Sequence, residues 1–290
     1  MPAGAKPGMV RPMSAHTVIL CADDYGLSPG VGEAIRDLIE RGRLTATSCM
    51  TVCRFWPEEA QALKPLADRA DVGLHLTLTD QAPLGAMPKL APEGRLPPLG
   101  VLMRKAYAGG LDAHEIGAEV DRQVAAFTEA FGAPPAYIDG HQHIHQLPVV
   151  REAVLAALAR LPGAYLRLCR EPRRAIVRRG VAVAKTLLIA ELGGALAAQA
   201  LAAGIPANGS FRGVYDFSGA VPFGELMARF LDRPARRTLV MVHPGIPDEA
   251  LRQADPLVDQ RAVEHDYLKG DAFAALLAEK GLRLGRFSEA

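Results

Sequence analysis

The stretch Thr17-Val-Ile-Leu-Cys-Ala-Asp-Asp-Tyr-Gly26 decides how the chain folds. Thr17 to Cys21 is a short apolar run, and its length and β-branching mark a buried strand. The run ends in adjacent carboxylates, Asp23 and Asp24. Ser28-Pro29 then opens a helix through about Arg41, with Val31, Ala34, Ile35 and Leu38 at helical spacing. A second strand fits Ala46 to Val52, a helix follows Pro57, and a third strand runs from Val72 to Leu78 with His75 near its middle. This strand–helix alternation implies a parallel sheet covered by helices.

Beyond Leu78 the pattern is looser. Asp80 to Gly100 is rich in proline and glycine without apolar period, and a loop of this length inside a compact domain is expected to be a lid or binding loop. A long amphipathic helix fits Ala113 to Phe131 and a strand fits Ala136 to Asp139. The segment Tyr137-Ile-Asp-Gly-His-Gln-His-Ile-His145 follows, holding three of the eight histidines within five residues. Read as extended chain, its alternate side chains share a side, so Asp139, His141, His143 and His145 are expected to line one wall of a pocket. Later elements are a helix from Pro148 to about Arg160, a strand from Tyr165 to Leu168, and a buried strand from Thr238 to Val242 ending in His243-Pro244. A helix from Ala272 to Lys280 and a short strand from Leu282 to Leu284 close the chain.

At 290 residues and 49% hydrophobic, the chain can bury a sizeable core, and no strong internal boundary interrupts it. A single domain over 16–290 is expected, preceded by a flexible N-terminal tail over 1–15 that lacks an apolar signal core. A net charge of +1 favours neither nucleic acid nor an acidic membrane surface. Cys21, Cys49, Cys53 and Cys169 complete no zinc-finger pattern and read as buried free thiols of a reducing compartment, and without a targeting signal the cytoplasm is the expected location. The apolar run Val181 to Ala203 is interrupted by Lys185, Glu191, Gln199 and a Gly193-Gly194 pair. It reads as one or two buried helices at the core or at a homodimer contact, with no membrane span.

In parallel α/β folds, sites lie at the carboxyl ends of strands. Asp23-Asp24, His75, the histidine cluster, Arg167 and His243 all fall near such ends. Imidazoles and carboxylates are ligands for a divalent ion. One of two adjacent carboxylates can bind the ion while the other takes a proton from water, and a histidine on the far side can protonate a leaving group. Neither G-x-S-x-G, H-E-x-x-H nor a strand-following G-x-G-x-x-G is present, which argues against serine hydrolases, zincins and dinucleotide enzymes.

The motifs Ala22-Asp-Asp-Tyr-Gly-Leu-Ser28, Thr45-Ala-Thr-Ser48, Val72-Gly-Leu-His-Leu76, Ile138 to His145 and His243-Pro244 together resemble the YdjC-like carbohydrate deacetylases, a family with chitooligosaccharide-specific and hopanoid-associated members. The likeness covers about Val18 to Leu284, is weakest from Arg173 to Ala207, and departs at Tyr25, where phenylalanine is common. It implies a distorted, TIM-like (β/α) barrel and a metal-dependent hydrolase that removes an N-acetyl group from an amino sugar or sugar-bearing lipid, releasing acetate. Asp24, His75 and His141 match the family's metal ligands, Asp23 its base and His243 its general acid, with Arg167 expected to fix Asp23 in charged form. His143 and His145 are expected near substrate, as are Met87 and Pro88 within the loop Pro83 to Leu99. One Mg2+ or Zn2+ ion is implied. The alternatives are another amide or ester hydrolase in the same barrel, or a carbohydrate-binding protein without turnover. A pure binding site has no need of Asp23 beside a ligand.

Overall fold

A computed structural model describes residues 16–290; the expected tail over 1–15 lies outside the described residues. The strands are β1 (His16–Tyr25), β2 (Ala46–Cys49), β3 (Asp71–Leu76), β4 (Tyr137–Gly140), β5 (Tyr165–Leu166), β6 (Ser210–Arg212), β7 (Thr238–Val242) and β8 (Leu282–Leu284). The helices are α1 (Pro29–Glu40), α2 (Trp56–Leu63), α3 (Leu99–Tyr107), α4 (Ala113–Phe131), α5 (Val150–Leu158), α6 (Arg173–Arg179), α7 (Val183–Leu192), α8 (Gly194–Ala202), α9 (Phe223–Phe230), α10 (Glu249–Ala254), α11 (Asp259–Lys269) and α12 (Asp271–Glu279).

All strand pairs are parallel, in the order β5-β4-β3-β2-β1-β7-β6, with β8 beside the start of β1. The sheet curls until its edges meet. There β5 and β6 share no continuous ladder: Leu166 bridges Ala207, and Phe211 N–H donates to the Arg170 carbonyl. The Asn208 side chain spans the seam, accepting from Leu168 N–H at 2.7 Å and donating to the Leu168 and Ser210 carbonyls. The result is a distorted (β/α) barrel in a single α/β domain.

Alternation along the strands sorts the core. On β1, Val18, Leu20 and Ala22 pack outward under the helices, while Ile19 and Cys21 join Tyr137, Tyr165, Phe211, Leu239 and Met241 inside the curl. With both faces covered, β1 reads as a continuous apolar run. Inside, Tyr137 lies against Gly73, where a Cβ would sit 2.4 Å from its ring, so only glycine admits it. Helix signals behave as expected. Ser28 caps α1 by accepting from Val31 N–H with Pro29 following, a cap worth about 1 kcal/mol, and α4 runs from the Asp112 cap to a left-handed Gly132.

Several expectations shift. β1 continues through Asp23-Asp24 to Tyr25, and β2 stops at Cys49, where the Met50 N–H turns back to the Tyr25 carbonyl. The helix expected from Pro148 starts at Val150, because Val149 adopts a left-handed backbone. The run Val181 to Ala203 forms α7 and α8, but only one side is buried; Leu188 and Leu201 face outward.

Candidate active site

Adjacent strand residues ordinarily point to opposite faces. Asp23 continues the interior row of Ile19 and Cys21, so Asp24 would point outward under the helices. A bulge prevents this: Ala22 pairs with Thr47 and Tyr25 with Cys49, three steps on β1 against two on β2. Asp24 takes up the extra residue with φ 69°, a left-handed conformation costly for a side-chain-bearing residue. Both carboxylates thereby reach the same end of the barrel.

Asp24 Oδ1 lies 3.3 Å from His75 Nε2 and 3.1 Å from His141 Nδ1. One ligand-type atom from each of the three residues falls within 4.8 Å of the others. The far ring nitrogen of His75 is bound to Asp139 Oδ1 at 2.6 Å, which turns Nε2 toward Asp24. A carboxylate behind a histidine is the usual way to orient a metal-ligating imidazole. Arg261 Nη2 holds the other oxygen of Asp24 at 2.7 Å. Burial opposes the Asp24 charge, but Arg261 and the hydrogen bonds from His141 and His75 hold its carboxyl well below the usual range. Burial likewise opposes charge on His75, yet Asp139 and Asp23 raise it to about 10. Two imidazoles and one carboxylate are a donor set that fits a divalent ion, with His75 giving up its proton to bind it.

Asp23 is gripped by Arg167, Nη1 to Oδ1 at 2.5 Å and Nη2 to Oδ2 at 3.0 Å, and the same Nη1 reaches Asp139 Oδ2 at 2.8 Å. The Asp23 Oδ2 atom is 4.0 Å from both His75 Nε2 and His243 Nε2. His243 follows β7. Its backbone N–H donates to Glu264 Oε2 at 2.5 Å, Glu264 accepts a second bond from the Tyr215 hydroxyl, and Phe217 packs edge-on against the imidazole. Burial pushes His243 down to about 4, against the pull of Asp24 and Asp23.

These groups form the floor of a cavity of ≈ 400 Å³. Its walls are mainly apolar, with Leu99 and Met103 from α3, Ile144, Leu188 and Leu192 from α7, and Phe217, and they include the polar side chains of Gln142, Gln146, Lys185 and Asp255.

The sequence profile of the YdjC-like protein family matches residues 17–279. The chain belongs to the YdjC-like family. It is 34% identical over 273 residues to a chitooligosaccharide deacetylase of Serratia marcescens, covering 94% of this chain and 98% of the relative. A chitooligosaccharide deacetylase of Klebsiella pneumoniae is 30% identical over 278 residues, covering 94% and 99%. Among solved structures, an Enterococcus faecalis protein named for cellobiose-phosphate cleavage superimposes with a TM-score of 0.75 at 21% identity, covering 95% and 99% of the two chains; this likeness is one of fold.

In this YdjC-like chain Asp23, Asp24, His75, His141, Arg167 and His243 meet at one point. The other expected site residues do not all join them. The segment after β4 is a tight 3-10 turn in which Gln142 and His143 have left-handed backbones, not an extended wall. His141 faces Asp24. His143 lines the cavity, edge-on to Phe211 and with Nδ1 3.5 Å from Cys169 Sγ. His145 is turned away: it is fully buried and Nε2 bonds the Arg167 carbonyl at 2.9 Å, so it supports the chain after β5 and does not face the cavity. Asp139 also leaves the expected wall and points inward to His75 and Arg167.

Met87 and Pro88 lie away from the cavity. Met87 is packed in the core, Pro88 is exposed, and neither lines the cavity. The carboxylates of α4 hold the loop down: Glu119 accepts from Leu84 N–H, and Glu115 accepts from the N–H groups of Lys89 and Leu90. Leu99, the last residue of that loop and the first of α3, lines the cavity wall together with Met103. Arg261 and Glu264, one turn apart on α11, carry site contacts that no motif announced. The available signal was their i, i+3 spacing in Asp259-Gln-Arg-Ala-Val-Glu264, read as one helix face.

Proposed function

We propose that this protein is a divalent-metal-dependent carbohydrate N-deacetylase that hydrolyses an N-acetyl group on an amino sugar and releases acetate. The observation that carries the reading is the meeting of Asp24, His75 and His141 beside an arginine-bound Asp23, with His243 across from it. The curated relatives named as chitooligosaccharide deacetylases support the reaction class. A divalent ion held by Asp24, His75 and His141 would lower the pKa of an attacking water and polarise the acetyl carbonyl.

The remaining steps belong to the chain. Arg167 binds both oxygens of Asp23 and aims it into the cavity. Asp23 accepts the proton of the attacking water as it adds to the amide carbon. His243 is neutral at pH 7, since burial holds it near 4. It becomes an acid by receiving that proton from Asp23, whose Oδ2 faces Nε2 at 4.0 Å, and it passes the proton to the departing amine. The Glu264 bond to the His243 backbone and the Phe217 ring hold the imidazole in place for this relay.

The walls favour one substrate type within the class. A free oligosaccharide is hydroxyl-rich and calls for many polar partners, whereas this lining, although it includes Gln142, Gln146, Lys185 and Asp255, is dominated by Leu99, Met103, Leu188, Leu192 and Phe217. A sugar carrying an apolar group fits it better. The test measures acetate from chitobiose and from an alkyl N-acetylglucosaminide, with and without chelator, beside the metal content of the purified protein. Chelator-insensitive acetate release removes the metal. Sugar binding without acetate release leaves a binding protein, and turnover of esters alone leaves a different hydrolase.

A further inference from the structure

The segment between the barrel's two seam edges, α6 to α8, has an exposed surface most of which lies outside the cavity. On α6, Arg173, Arg174, Val177 and Arg178 are exposed on one helix face, with Val177 58% exposed and Ile176 buried opposite. The side chains of these three arginines and of the exposed Arg170 make no ion pair or hydrogen bond among the described residues, whereas Arg179 is tied to buried Glu171. On α7 and α8 the outward positions are Ala184, Leu188, Ala195, Ala198, Leu201 and Ala202, broken by Lys185 and Glu191. Leu201 is 83% exposed and Leu188 56%. From Leu192 to Phe211 there is no charged residue.

By length and mean hydropathy, 1.2, the run Val183–Ala202 suffices to cross a bilayer, and only 28% of it is buried. It does not leave the domain, however. Leu196 and Ala200 are packed in the core, and a turn at Gly193 divides the run into helices of 10 and 9 residues. A span needs about 20 consecutive helical residues set free of the fold. An apolar helix face lying on a domain beside unneutralised arginines is instead the pattern of an interfacial segment.

We infer that α6–α8 form a docking surface for an anionic phospholipid bilayer, with Val177, Leu188 and Leu201 entering the acyl boundary and Arg170, Arg173, Arg174 and Arg178 meeting the headgroups. Two observations choose this occupant over a second copy of the chain. The arginines call for negative charge, and a symmetric pair of copies would set this basic face near its own like. The surface is also continuous with the cavity: Leu188 belongs to both, and Lys185 and Leu192 beside it line the cavity mouth. A substrate partly sunk in the bilayer would reach the floor without passing through water. This docking goes beyond the proposed reaction and stands without it.

The test is sedimentation of the whole protein with vesicles of phosphatidylcholine alone or of equal parts phosphatidylcholine and phosphatidylglycerol. Binding is expected to the mixed vesicles and to fall with added salt. The triple variant Arg173→Gln, Arg174→Gln, Arg178→Gln is expected to partition about 100-fold less, since each basic residue near an anionic surface contributes about fivefold. Leu201→Glu is expected to weaken binding at every salt concentration. Both variants should keep the wild-type melting temperature and release acetate from soluble chitobiose unchanged. The inference is overturned if wild-type protein stays in the supernatant, if binding ignores vesicle charge, or if both variants bind as wild type does. A dimer in solution that Leu201→Glu converts to monomer would assign the face to a second copy and overturn it equally. Loss of acetate release with vesicle binding intact counts against the proposed reaction alone.

Discussion

Arg167 binds both oxygens of Asp23 while being fully buried itself, and one of its nitrogens also serves Asp139. The proposed base and the carboxylate that orients a proposed ligand therefore share one cation. Removing that cation would leave two buried carboxylates without their partner, a change that ordinarily costs 3–5 kcal/mol.

Asp23→Asn is thus expected to retain the fold and the bound metal while losing roughly 10²–10⁴-fold in turnover, the usual worth of a general base. Metal content and acetate release measured side by side test this. Near-wild-type turnover would transfer the base role to another group.

Asp139 touches neither water nor substrate on this account, yet it aims His75. Asp139→Asn is expected to weaken metal affinity about 10–100-fold, as loss of a histidine's supporting carboxylate does. Competition with a fluorescent chelator reads this directly. Unchanged affinity would mean that packing alone orients the His75 ring.

His141 and His145, four residues apart, are expected to behave differently. His141→Ala should abolish tight metal binding. His145→Phe should leave it intact and lower stability by about 1–3 kcal/mol, because the Arg167 carbonyl loses its buried donor. Melting curves and metal titration separate the two, and equal metal loss in both variants would contradict the geometry.

Glu264 supplies a pH signature. Burial raises its carboxyl from 4.5 to about 7, against the bonds from Tyr215 and His243. Between those values the folded protein holds a proton that the unfolded chain has released. Its contribution is therefore fully present below about pH 4.5 and is lost as pH rises through 7. Relative to Glu264→Gln, the wild type should lose stability across this window, on the order of 3 kcal/mol. Denaturation midpoints of both proteins from pH 5 to 8 test the slope, and parallel curves would refute it.

Much of the site was legible because it obeys a two-residue period. Asp23, His75, Arg167 and His243 each continue an interior row of a strand, so reading strand ends was enough to gather them. Asp24 joins them against that period, through a bulge that spacing alone does not reveal. The histidine triplet misled for the opposite reason: an alternating pattern suggests extended chain, but the backbone turns at Gln142 and His143 and sends His145 behind the barrel wall. Arg261 and Glu264 were invisible because they arrive from a helix near the end of the chain and are chosen by tertiary contact. Met87 and Pro88 sit off the cavity because α4 anchors their loop through backbone N–H groups, an interaction that depends little on the loop's own side chains.

The seam at Asn208 has a consequence for how such a protein can diversify. Every other junction of the barrel is a run of paired backbone, where an added residue shifts a register and turns side chains to the wrong face. Between β5 and β6 the edges are joined by one amide side chain and a few backbone bonds, so the chain linking them can lengthen, shorten or be replaced without disturbing any strand. That link is the segment carrying α6–α8, and α7 forms one side of the cavity mouth. The barrel thus has a built-in splice point: the chemistry stays fixed in the ladder while what the enzyme meets is written in the gap.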